Sequence, residues 1–144
     1  MKKTMSFLLV GLTTFMISCK KEEAITVSNP TTKELLTGNN WRITNFTSTD
    51  TTTATANLLQ EWKKTYVEKS VYLTFKTDGT YLYSDSSDYG KWELSGDKTI
   101  VYAKGTPDES TSTIETLTST EFVHYYTETV ASKDVKITEY TVKK

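Results

Sequence analysis

Between Val71 and Tyr83 the chain alternates apolar and polar residues with a period of two, and it breaks that alternation once, at Thr77-Asp78-Gly79. Val71, Leu73 and Phe75 fall on one face and Tyr72, Thr74 and Lys76 on the other, as in a strand half buried in a sheet. Gly79 suits the left-handed position of a three-residue hairpin loop. That loop sets Lys76 opposite Thr80 and Phe75 opposite Tyr81, and brings Tyr81 and Tyr83 onto the Val71 face.

The rest of the chain carries similar short segments separated by turn signals, as an antiparallel β-protein requires. They run from Asn40 to Thr47, with Trp41, Ile43 and Asn45 on one side; from Tyr89 to Leu94, with Trp92 and Leu94 together; and around Ile100. Three more follow at Thr111 to Thr118, Glu121 to Thr129 and Lys133 to Val142, which makes eight strands. The 29 threonines, nine tyrosines and three tryptophans of the chain lean the same way. A two-residue turn at Gly96-Asp97 pairs Leu94 with Thr99 and Trp92 with Val101, and leaves Ile100 and Tyr102 on the opposite face; a slip of one residue would invert that. A tight turn at Ser119-Thr120 aligns Leu117 with Phe122 and puts His124 and Tyr126 on the Phe122 face.

Only Thr55 to Val67 argues for a helix. Leu58, Leu59, Trp62 and Tyr66 recur there at three- and four-residue spacing, and Asn57 with Gln60 could form a capping box. It reads as a lid-like amphipathic helix behind a polar loop, Thr47 to Thr55.

The amino-terminal segment speaks about location. Lys2 and Lys3 precede an apolar stretch from Phe7 to Ile17 that is too short to span a bilayer and has the length of an export signal. Its ending, Met16-Ile17-Ser18-Cys19, resembles a bacterial lipobox. That resemblance implies a signal peptide over residues 1–18 and acylation of Cys19, which anchors the protein to a membrane without a spanning helix. Lys20-Lys21-Glu22-Glu23 reads either as a solvated tether or as a signal similar to those that send some lipoproteins to the outer face of the outer membrane. The expected location is the cell envelope, as an outer-membrane lipoprotein facing the periplasm or exposed at the cell surface. A tether over residues 19–33 then leads to one domain, 34–144. No second cysteine exists, so no disulfide can hold that domain. Loss of Lys2 and Lys3 leaves an acidic excess, which is no footprint for nucleic acid.

Gly38-Asn39-Asn40-Trp41, then Leu73-Thr74-Phe75-Lys76-Thr77-Asp78-Gly79-Thr80-Tyr81, then Gly90-Lys91-Trp92-Glu93-Leu94 resemble the lipocalin-like, calycin-type small lipoproteins of Gram-negative bacteria. The resemblance implies an eight-stranded up-and-down β-barrel, closed at one end near the first-strand tryptophan. It also implies a cation stacked on Trp41; Arg42 is the only arginine, so Lys143 or Lys144 would have to supply it. The helix falls between the first and second strands, closer to the arrangement in fatty-acid-binding proteins.

Catalytic chemistry finds little support. His124 is the only histidine, it sits in an alternating aromatic strand, and no Gly-x-Ser-x-Gly turn presents a nucleophile beside it. One histidine and one lipidated cysteine cannot make a zinc set. Asp85 and Asp88 fall short of the six to eight oxygens that calcium takes, so neither metal nor other cofactor is expected. Binding remains. The candidate interior is Leu73, Phe75, Tyr81, Tyr83, Trp92, Phe122, His124 and Tyr126, aromatic with hydroxyl tips and suited to a small hydrophobic or amphipathic ligand. The same rings could instead fill the barrel. The domain would then be an interaction or scaffold subunit of a cell-surface complex, docking an envelope protein on its threonine-rich outer face.

Overall fold

The structure, a computed structural model, describes residues 29–144; the expected export signal, Cys19 and the expected tether as far as residue 28 lie outside the described residues. Eight antiparallel strands follow one another around a closed barrel. They are β1 (Asn40–Ser48), β2 (Tyr72–Phe75), β3 (Thr80–Tyr83), β4 (Tyr89–Ser95), β5 (Thr99–Tyr102), β6 (Ser110–Leu117), β7 (Glu121–Val130) and β8 (Lys133–Lys143). Pairing of β8 with β1 closes the ring, so every strand has a paired neighbour on each side over at least part of its length. Phe75 opposes Tyr81 and Leu117 opposes Phe122, as the turn residues predict. The Lys76 amide donates to the Thr80 carbonyl across the Gly79 turn, where φ is +80°.

A helix before β1, α1 (Thr32–Thr37), has no counterpart in the sequence reading. The signal was a capping box: the Thr31 hydroxyl accepts from the Glu34 amide, and the Glu34 carboxylate accepts from the Thr31 amide at 2.7 Å. The turn that follows carries the chain into β1. The Gly38 amide donates to the Glu34 carbonyl, and a Cβ on Gly38 would stand 2.8 Å from that oxygen. Leu36 is thereby pushed fully into the barrel mouth, and the indole Nε1 of Trp41 donates to its carbonyl at 3.0 Å. The cation expected over Trp41 is elsewhere: Lys144 Nζ lies 3.8 Å from the centre of the Tyr72 ring. Trp41 meets the edge of Phe122 instead, with ring centroids 5.5 Å apart.

The lid helix begins earlier than its apolar periodicity implies. Helix α2 spans Thr53–Trp62, and Thr52 rather than Asn57 caps it by accepting from the Thr55 amide. Asp50 accounts for this, since one carboxylate oxygen accepts from both the Thr52 and Thr55 hydroxyls and the other takes the Lys133 ammonium at 2.8 Å. The polar loop is accordingly short, because β1 runs to Ser48. Beyond Trp62 the helix widens into a π-helical turn, Lys63–Val67, in which the Glu68 amide donates to the Lys63 carbonyl. Leu59, Trp62 and Tyr66 pack onto Phe46, Ile43, Val71, Val135 and Ile137 at the end of the barrel opposite α1.

Two local features overturn sequence-based faces. A bulge between Ile43 and Asn45 shifts the register of β1 on β8, so Phe46, not Asn45, continues the inner row. Between β4 and β5 the loop has three residues, and Trp92 opposes Tyr102 while Leu94 opposes Ile100. The two-residue turn at Gly96-Asp97 is therefore wrong by one place. The slip buries the apolar pair Ile100 and Tyr102 beside Trp92 and Leu94, which the shorter turn would have left facing water.

Candidate functional site: a polar cavity under the lid helix

The interior divides into two halves along the barrel axis. Toward α1, Trp41, Leu73, Phe75, Tyr81, Trp92, Ile100 and Phe122 pack into one apolar cluster around Leu36. Phe75 meets Trp92 edge-on at 4.9 Å and Phe122 at 6.0 Å. Five of the eight predicted interior residues, Leu73, Phe75, Tyr81, Trp92 and Phe122, belong to this packed half and line neither of the two spaces at the other end. Tyr81 ends in a hydroxyl that donates to Asp88 at 3.0 Å.

The other three, Tyr83, His124 and Tyr126, line a cavity of about 480 Å³ beneath α2, together with Trp62, Tyr102 and Ser112. A smaller space of about 100 Å³, bounded by Phe46, Tyr66 and Glu139, shares Trp62, Tyr83 and Tyr126 with it. The strand positions explain the cluster. His124 and Tyr126 alternate inward on β7, and the β7–β8 ladder sets His124 opposite Glu139. On β8 the inner row is Val135, Ile137, Glu139 and Thr141, all buried.

Unpartnered polar atoms concentrate here. Both ring nitrogens of His124 and Oε1 of Glu139 are buried without a hydrogen-bond partner, and the Tyr102 and Ser112 hydroxyls are buried with no protein partner other than each other. His124 Nε2 and Glu139 Oε1 stand 3.6 Å apart, too far for a good hydrogen bond, with both side chains almost wholly enclosed. A buried polar group left unsatisfied costs about 1–3 kcal/mol, so a cluster of them marks a place built for something other than packing. Burial first, and then the field of the Glu139 carboxyl, pushes the phenols of Tyr83, Tyr102 and Tyr126 upward, which keeps them as neutral donors.

The cavity also reaches the barrel wall. Pairing of β6 with β7 stops at Thr113 and Tyr125, while β7 continues to Val130 along β8 and β6 starts at Ser110 along β5. Thr111 and Thr127, which point away from the interior, line the cavity along with inward-facing Ser112 and Tyr126. Strand alternation aims the backbone N–H and C=O of Thr111 and Thr127 at the gap between them. The gap is part of the cavity's wall.

Among the described residues no group of three or more His, Cys, Asp or Glu is placed to hold an ion. Asp85 closes a turn by accepting from the Ser87 amide and hydroxyl. His124 stacks on Phe122, with centroids 4.5 Å apart and planes 7° from parallel, and engages no hydroxyl.

Sequence reasoning missed Trp62, Tyr102, Ser112 and Glu139 as cavity residues. Glu139 was within reach, because it shares the two-residue period of Val135 and Ile137. Tyr102 and Ser112 required the β4–β5 register. No family model matches the chain, and no curated protein matches it either.

Proposed function

We propose that this protein is a lipocalin-like lipoprotein of the cell envelope, anchored through acylated Cys19, that carries a small hydrophobic or amphipathic ligand without transforming it. The observation that carries the reading is the cavity under α2, about 480 Å³ and ringed by buried polar atoms that have no protein partner. Its volume falls in the range of small-molecule pockets, and its aromatic walls with a few convergent polar groups have their usual composition. The gap between β6 and β7 supplies a route in that does not require α2 to leave the barrel. An open cavity weighs for a ligand over the alternative of a filled barrel acting only as a scaffold for an envelope partner.

Native mass spectrometry of the full protein, extracted in detergent from its own membranes, tests both halves of the proposal. The expected spectrum shows the acylated chain carrying a reproducible further mass that is released on unfolding. A chain bearing only covalent acyl groups in repeated preparations would defeat the ligand reading. Cys19→Ser should move the protein from the membrane to the soluble fraction, and continued membrane residence of that variant would defeat the anchor.

A further inference from the structure

The chemistry of the cavity goes further than its size. Three carboxyl groups border the two neighbouring spaces, Asp88 and Glu128 the larger and Glu139 the smaller, and among the described residues no lysine or arginine lines either. Glu139 projects from the inner row of β8 between Phe46 of β1 and His124 of β7, and its Oε1 is buried and unpartnered. Around these acceptors stand four aromatic side chains, Trp62, Tyr83, Tyr102 and Tyr126. An aromatic ring presents a negative face, and rings combined with carboxylates form the environment in which ammonium groups are bound without water. A ligand carboxylate would meet the reverse: acidic neighbours, with the His124 imidazole, itself set against Glu139, the only basic group among the described lining residues. Among small amphipathic ligands, one that carries a carboxylate therefore fits poorly.

We propose, resting on the ligand-binding reading above, that the cavity selects a small amphipathic cation, an amine or quaternary ammonium group on an aromatic or short apolar body. The ammonium sits against Glu139 within the ring of aromatic side chains. The body lies along Trp62 toward the gap between β6 and β7, where Thr111 and Thr127 offer polar contacts to whatever extends outside. The Tyr102 and Ser112 hydroxyls satisfy any hydroxyl or ether oxygen the ligand carries.

Isothermal titration of the detergent-solubilised full protein with three probes of one shape, phenethylamine, 2-phenylethanol and 3-phenylpropionate, tests this. The amine is expected to bind at least about tenfold more tightly than either of the others, since a tenfold ratio corresponds to about 1.4 kcal/mol, a modest demand on one charge-assisted contact in a dry site. Glu139→Gln, which keeps the shape, should erase the preference, and Trp62→Leu on the lid should weaken the amine several-fold; the second variant decides the matter should the first not fold. Binding of the alcohol or the acid as tightly as the amine overturns the cation assignment and leaves the binding module standing. An unchanged preference in Glu139→Gln, or undiminished amine binding by Trp62→Leu should the first variant not fold, overturns the placement beside Glu139 and Trp62. Binding of none of the three, together with a bare chain in native mass spectrometry, overturns both proposals.

Discussion

The two ends of this barrel are built from the same kinds of residue and do opposite things with them. At the α1 end, Trp41, Phe75, Trp92 and Phe122 interlock edge to face, and the polar atoms of the two indoles are used up on carbonyls: Trp41 on Leu36 and Trp92 on Lys76. At the α2 end, Trp62, Tyr83, Tyr102 and Tyr126 each turn part of a ring to a cavity, next to hydroxyls and to an imidazole and a carboxyl with no partner. Close packing with satisfied polar groups stabilises; open packing with orphaned ones costs stability that a folded chain retains only where the site serves another purpose. The lesson is a division of labour along one axis. One end holds the barrel together so that the other can remain unfilled.

That contrast can be broken most directly at Trp41. Truncation to alanine removes a fully buried ring and strands the Leu36 carbonyl, and it should lower the unfolding free energy by about 3–5 kcal/mol in a denaturant titration. A loss below about 1 kcal/mol would mean that the α1 end is not the stabilising half. The opposite sign is expected at the cavity. Replacing His124 and Glu139 together by Phe and Leu removes two enclosed polar groups 3.6 Å apart and should leave stability unchanged or raise it by about 1–4 kcal/mol, because apolar isosteres avoid the desolvation penalty. A clear destabilisation in thermal melts would show that the pair supports the fold and was not set aside for a ligand.

The smallest effect concerns what holds the lid. The Lys133 ammonium, then the Thr52 and Thr55 hydroxyls, hold the Asp50 carboxyl well below the usual carboxylate range. A carboxyl depressed in the folded state contributes stability at pH values above its unfolded pKa of about 4, and that contribution is lost as the pH falls below it. Asp50→Asn should therefore flatten the acid limb of a stability-versus-pH curve below about pH 4. Hydrogen exchange should quicken in α2 and stay as it was in α1. Coincident acid limbs for the two proteins would remove Asp50 as the clasp between the lid and the β7–β8 hairpin.

Much of the barrel was legible in the chain because strand alternation and turn residues are local properties. Leu73, Phe75 and Tyr81 could be placed on one inner row from the period of two and from Gly79 alone. The eight predicted interior residues do all face inward, yet the boundary between packed and open halves runs through the middle of that set, between Phe122 and His124 on a single strand. Nothing in the alternation of β7 distinguishes those neighbours. Helix α1 escaped notice because six residues are too few to display a period, although Thr31 and Glu34 carried its cap. The face of Phe46 depended on a bulge, which adds one residue to a strand without leaving a mark in composition.

By itself, then, the sequence determined that the described chain is an antiparallel β-structure with a helix after its first strand, because side-chain periodicity and backbone preferences at turns act over a few residues. It also set Cys19 apart as the single thiol. Only the tertiary structure decided that the strands close on themselves, that β6 and β7 part beyond Thr113, and that Glu139 ends up beside His124 and three tyrosines. Those outcomes come from register and packing between segments far apart in sequence, as with Thr44 and Tyr140, 96 residues apart, where bulges, loop lengths and ring shapes compete over the whole barrel at once. Whether an aromatic side chain becomes packing or a cavity wall is settled by what stands opposite it, and that is information no local stretch of sequence contains.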